Sequence, residues 1–174
     1  MATRPTSDRL RETVFNILAA RINGARFADL YAGTGAVGIE ALSRGAGHVT
    51  FVENAAAALA ALRGNLAALG IQRGFTLEQR SAPAALSSLA RRPQGFDVVY
   101  LDPPWEDGAA YQKTLALLTD RAAMLLAPEA IVVAEHGRRG APVAETYGTL
   151  KRYRVHEQGD AALSFYRVEE NSIL

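Results

Sequence analysis

Cysteine is absent from the 174-residue sequence, which removes disulfides, thiolate metal sites, iron–sulfur clusters and a cysteine nucleophile together. The cytoplasm is the compartment this composition suits. Lysine is scarce as well, Lys113 and Lys151 being the only two among 19 basic residues. The arginines in its place suit forked contacts with phosphate or base edges, although the base composition of the source genome is the simpler explanation. An excess of charge of one sign is missing, since 19 basic residues face 18 acidic ones for a formal net charge of +1. Such a chain does not coat nucleic acid through bulk charge, so any nucleic-acid contact has to be local. No apolar run approaches the roughly 18 residues of a membrane span, and Met1-Ala2-Thr3-Arg4-Pro5 lacks a secretory stretch. The chain is therefore expected to be neither exported nor membrane-spanning. His48, His136 and His156 have no ligand-like spacing, so no metal is expected. Neither a serine-centred elbow nor a phosphate-loop lysine occurs, which argues against hydrolase and nucleotide triphosphatase readings.

What is present is an ordinary globular composition, 49% hydrophobic and 21% charged, with a length suited to one domain over residues 1–174. Leu10, Val14, Ile17 and Leu18 recur at helical spacing after Ser7, which is placed to cap a leading helical segment within residues 1–24. Strands are expected at Arg26–Tyr31, His48–Glu53, Phe75–Gln79, Phe96–Leu101 and Ile131–Glu135. Between them Val37–Ser43, the stripe Leu59, Leu62, Leu66 and Leu69, then Pro83–Arg91 and Tyr111–Leu126 read as helices. That alternation means an α/β fold with a mostly parallel sheet covered on both faces. Leu150–Glu157 and Ala162–Val168, joined by Gln158-Gly159-Asp160, read as an antiparallel hairpin closing one side, for seven strands in all.

Two motifs carry the chemistry. Gly33-Thr34-Gly35-Ala36-Val37-Gly38 lies between the first strand and its helix, where missing β-carbons let the backbone turn sharply and approach a ligand. Glu53 ends the next strand, placed for its carboxylate to accept ribose hydroxyls. This spacing suits a dinucleotide or an adenosyl methyl donor equally well. A dehydrogenase would need a second nucleotide-binding half, for which the length leaves little room. Asp102-Pro103-Pro104-Trp105 follows the fourth strand, and ligands of open parallel sheets bind outside the carboxyl ends of strands. Each proline stiffens its predecessor, so the Asp102 carboxylate and the Pro103 carbonyl can grip the two hydrogens of an exocyclic amino group. Trp105 offers a flat face on which an unstacked base can lie.

The blocks R-P-T-S-D-R-L-R-E-T-V-F-N-I-L, D-L-Y-A-G-T-G-A-V-G-I-E-A-L-S-R-G-A, F-V-E and D-P-P-W together resemble the RsmD-type bacterial 16S rRNA guanine-N2 methyltransferases, from Arg4 to about Val168. The resemblance implies the Rossmann-like methyltransferase fold, S-adenosylmethionine as donor, and N2 of a guanine, of the guanine-966 type, as target. It places Pro5, Thr6, Asp29, Tyr31, Gly33, Gly35, Gly38, Glu53, Asn54, Ser81, Ala82 and Asp102 around the donor. Asp102, Pro103, Pro104 and Trp105 are the catalytic tetrad by the same likeness. Arg4, Arg9 and Arg11 are candidate phosphate contacts beside Trp105, with Arg138 and Arg139 weaker ones. Two departures stand out. Family members carry a hairpin before the Arg-Pro-Thr block, and this chain begins almost at that block, which predicts reduced RNA affinity or a misassigned start codon. Where relatives place an acid for the adenine amino group, this sequence has Ser81 and Ala82. The partner implied is 16S rRNA or an assembling small ribosomal subunit, approached by a monomer. Methylation of DNA adenine or protein glutamine shares the tetrad and is the near rival. A nicotinamide-dependent oxidoreductase and a non-catalytic assembly factor are the distant ones.

Overall fold

The computed structural model of the chain describes residues 5–140 and 143–170. Helices α1 (Pro5–Ile17) and α2 (Ala19–Ile22) lead into β1 (Arg26–Leu30), α3 (Ala36–Ser43), β2 (His48–Val52), α4 (Ala56–Ala68) and β3 (Phe75–Glu78). Then follow α5 (Ala82–Leu89), β4 (Phe96–Leu101), α6 (Gly108–Asp120), α7 (Ala122–Leu125) and β5 (Leu126–Gly137). The chain continues through β6 (Thr146–Tyr147), β7 (Leu150–Gln158) and β8 (Ala161–Val168). They form one sheet in the order β3-β2-β1-β4-β5-β8-β7-β6. Strands β1 to β5 pair in parallel, and β8, β7 and β6 are antiparallel.

The strand sequences explain why both faces are covered. In β4, Val98 and Tyr100 point into one core, while Val99 and Leu101 point into the other, as the two-residue strand period requires. The first core takes Leu10, Val14 and Phe15 of α1, Leu18 at the junction with α2, and the Leu59, Leu62, Leu66 stripe of α4. The second takes Ala85 and Leu86 of α5 and Tyr111, Leu115 and Leu118 of α6. Burying each such leucine or phenylalanine contributes roughly 1.5–3 kcal/mol. The sheet therefore rests on contacts from both sides.

Four local expectations are corrected. The sheet has eight strands among the described residues, because Thr146–Tyr147 pairs with Lys151 and Leu150. A two-residue strand is too short to show a period. Ser7 lies inside α1, which starts at Pro5, a residue whose fixed φ suits a first helical turn. The long helix expected through Leu126 breaks at Arg121, and Leu126 already opens β5. Strand β5 is longer than Ile131–Glu135, since its register against β4 shifts between Phe96↔Leu126 and Val98↔Ile131, with Glu129 in the left-handed region at φ 61°. A bulge hid the early half from any alternation pattern.

The strand order decides where ligands go. From β1 the chain builds outward through β2 and β3, then returns to lay β4 on the other side of β1. The turns leaving β1 and β4 diverge there and open a crevice. Helix α3, the continuation of the first turn, is pressed against β2: a β-carbon on Gly38 would lie 2.3 Å from the Phe51 ring. Gly38→Val is expected to destabilise the fold by about 1–3 kcal/mol, the range for overpacking, read as a lower urea midpoint with an unchanged m-value.

Candidate active site

Three adjoining cavities follow the carboxyl ends of the strands. The first, about 250 Å³, is lined by Arg11, Asp29, Gly33, Asp102 and Glu135 among others. The second, about 200 Å³, is lined by Glu53, Asn54, Ser81 and Ala82, and Tyr31 belongs to the walls of both. The third, about 170 Å³, is lined by Trp105, Gln158 and Asp160, and shares Ser7 and Glu135 with the first. The glycine turn and Asp102 thus face one space.

The glycine turn is tied from below. Gly35 adopts φ 87° and donates to the Ala32 carbonyl at 2.9 Å; its missing β-carbon would sit 2.1 Å from Leu62 Cδ1. Gly33, at φ 57°, has no atom within 4 Å of such a β-carbon, so its exposed face meets the cavity. Glu53 Oε2 accepts the Gly33 N–H at 2.8 Å and Oε1 accepts the Ala55 N–H at 2.9 Å. Each carboxylate oxygen keeps a second lone pair for a ligand hydroxyl. Tyr31 is held at φ 62°, and its hydroxyl meets Thr114 Oγ1 at 2.8 Å. Ser81 Oγ accepts the Ala84 N–H at 3.3 Å, capping α5 at the floor of the second cavity.

Three carboxyl groups converge on the first cavity. Asp29, 2% exposed, accepts the Gly38 N–H at 2.9 Å. Burial, reinforced by the charge of Glu53 and opposed by the Gly38 bond, pushes it up to about 7. Burial, Glu135 and Asp29 hold Asp102 well above the usual carboxylate range, with Trp105 pulling the other way. Burial also raises Glu135, against a hydrogen bond that Tyr100 Oη donates to its Oε2. Such a cluster favours a bound cation, since positive charge stabilises the ionised forms. Above about pH 4 the unfolded chain releases the Asp29 proton that the folded chain keeps until about pH 7. Folded stability therefore falls with rising pH across that window. Asp29→Asn is expected to flatten the fall by up to about 1.4 kcal/mol per pH unit, measured by urea unfolding of the ligand-free protein at several pH values.

The tetrad is anchored by its neighbours. Tyr111 Oη donates to the Glu135 carbonyl at 2.6 Å and lies 3.4 Å from the Pro103 carbonyl. A phenol has one hydrogen, so the shorter bond takes it, and the Pro103 oxygen can accept from another donor. Pro103 is buried, whereas Pro104 is exposed. Trp105, 37% exposed, lies over Gly137, where a β-carbon would come 3.1 Å from the ring.

The other sequence candidates divide. Arg4 and the side chains of Pro5 and Thr6 lie outside the described residues. Arg9 is exposed on α1. Arg11 lines the first cavity and pairs with Asp8 at 3.1 Å. Gly35 and Gly38 act through close packing and the Asp29 bond. Arg138 pairs with Glu157 at 3.0 Å, and Arg139 is exposed. His136 is buried between Ser164 Oγ and the Gly137 carbonyl. Among the described residues no three potential ligands are placed to hold a metal ion together, and no helix is long and apolar enough to cross a membrane. Sequence reasoning missed Glu135, Tyr100, Tyr111 and Gly137. The polar Glu135-His136-Gly137 ending of an otherwise apolar strand was the available signal.

The fold is that of the S-adenosylmethionine-dependent methyltransferases. The chain belongs to the family described as Conserved hypothetical protein 95, which it matches over residues 1–167. It is 37% identical over 168 residues to a Bacillus subtilis protein named as a candidate rRNA methyltransferase, YlbH, covering 95% of this chain and 88% of that one. It is 36% identical over 167 residues to the Escherichia coli ribosomal RNA small subunit methyltransferase D, covering 95% and 80%. A solved E. coli structure described as a candidate methyltransferase, YhhF, has a TM-score of 0.78 at 34% identity, covering 96% of this chain and 89% of that one.

Proposed function

We propose that this chain methylates the exocyclic N2 amino group of a guanine in 16S rRNA, of the guanine-966 type, using S-adenosylmethionine, as a cytoplasmic monomer. The observation that carries the reading is the single cavity shared by the glycine turn, Asp29 and Asp102. The donor fits the residues present: its ribose hydroxyls match the spare lone pairs of Glu53, its adenine the second cavity, and its positive charge the buried Asp29 carboxyl. Arg11, inside the first cavity, is suited to the donor's carboxylate.

When bound, S-adenosylmethionine supplies an electrophilic methyl group. The chain's own part is positioning. Asp102 and the Pro103 carbonyl accept the two amino hydrogens, which frees the nitrogen lone pair from conjugation and aims it at the methyl. The proton released after direct displacement goes to Asp102, whose affinity for protons is raised by burial and by the nearby Glu135 and Asp29. Trp105 supports the extruded base. The small-subunit rRNA activity in the name of the E. coli relative supports the substrate class.

The test is transfer of labelled methyl from S-adenosylmethionine to small ribosomal subunits, 16S rRNA, DNA and protein, with the product digested and identified by mass spectrometry. N2-methylguanosine from the subunit or its rRNA is the expected product. Label only in DNA adenine or protein glutamine would overturn the assignment. S-adenosylhomocysteine is expected to raise the melting temperature and NAD to leave it unchanged.

A further inference from the structure

Glu135 lines both the cavity that holds Asp102 and the cavity that holds Trp105. Strand β5 pairs with β4 in the register Leu101↔Ala134, so the next residue along each strand brings Glu135 level with Asp102. Its position is fixed twice. Tyr100 Oη donates to Oε2, and Tyr111 Oη ties the Glu135 carbonyl to within reach of the Pro103 carbonyl. Among the described residues only Tyr100 donates to the Glu135 carboxylate. Glu135 borders both cavities, which sets its carboxylate beside the tetrad and next to the space under Trp105.

A guanine whose N2 amino group is gripped by Asp102 and Pro103 presents its adjacent N1–H next to that grip. Adenine has an acceptor at N1, and cytosine has one at N3 beside its amino group, so a carboxylate there repels both. Resting on the guanine-N2 reading above, we propose that Glu135 selects guanine: its Oε1 accepts the N1–H of the target base while Asp102 and Pro103 hold the amino group. Tyr100 keeps the other oxygen occupied, which orients Oε1 and stabilises the ionised form. Trp105 and Glu135 then read the face and the edge of one base.

The test uses small ribosomal subunits reconstituted with guanosine or 1-methylguanosine at the methylated position, against the wild-type protein, Glu135→Ala and Glu135→Gln. S-adenosylmethionine affinity is measured alongside by calorimetry. The wild type is expected to methylate guanosine and to reject 1-methylguanosine. Glu135→Ala is expected to lose about 10- to 150-fold in kcat/KM on guanosine, the equivalent of one hydrogen bond to a charged group. It should accept 1-methylguanosine nearly as well as guanosine, because the shortened side chain leaves room for the methyl. Glu135→Gln keeps an acceptor oxygen and should fall between them, with donor affinity within about threefold of wild type in each variant. A wild type that methylates both substrates equally, or a Glu135→Ala protein that still rejects 1-methylguanosine as strongly, overturns the assignment. Lost donor binding in both variants reassigns Glu135 to the donor site and likewise overturns it. Transfer by the wild type to a position other than guanine N2 overturns the underlying reading, and this one with it.

Discussion

Asp102→Ala is expected to lower kcat by at least about a hundredfold while the donor Kd stays within about threefold. In the proposed mechanism the carboxylate touches the reacting amine and accepts its proton, interactions that strengthen as the methyl moves across, and losing such an interaction costs turnover more than binding. Asp29 remains in the same cavity, so its attraction for a cationic donor survives the substitution. Asp102→Asn should fall almost as far, since an amide keeps the shape but cannot take the proton. Steady-state kinetics and calorimetry with S-adenosylmethionine separate the two quantities. A loss of donor affinity as large as the loss of kcat would move Asp102 from the amine to the donor.

Glu53→Ala should show the opposite pattern, with donor affinity weakened about 10- to 150-fold and kcat at saturating donor changed little. Each lost hydrogen bond to a charged acceptor is worth roughly 1.5–3 kcal/mol. The Gly33 and Ala55 N–H groups that Glu53 now accepts would also lose their partner and loosen the glycine turn. Glu53→Gln should recover part of the loss, because one amide oxygen can still serve Gly33. An unchanged donor Kd in both variants would remove Glu53 from the donor site.

Much of this arrangement was legible beforehand. Alternation of Val and Ile runs with leucine stripes gave the parallel sheet, and β4 was bounded at Phe96 and Leu101 as observed. The glycine turn and the tetrad could be placed at strand ends because glycine and proline punctuate locally. Their convergence was an inference from the general topology of such sheets, and it depends on β1 and β4 being neighbours. What could not be read was the identity of groups that act across strands. Glu135 reads from sequence as a strand end until its register places it level with Asp102, and nothing local marks Gly137 as the residue on which Trp105 lies. Arg11 reads as a candidate phosphate contact, and helical spacing alone does not say that an intermediate position lines the first cavity. The short β6, the break at Arg121 and the bulged start of β5 all lack the length on which periodicity depends.

Strand β8 lies between β5 and β7, with Ala161 to Tyr166 all buried, although it is made after every other strand of the sheet. A nascent chain leaving the ribosome can assemble the parallel portion early, but its β5 edge stays unsatisfied until residue 161 and those after it emerge. Ala161 and Gln158 also wall the Trp105 cavity, so the side proposed for the target base is completed only by that late docking. Translation order thus delays catalytic competence until the hairpin has seated, and a chain stalled before β8 would expose a sticky strand edge that quality-control proteases and chaperones recognise.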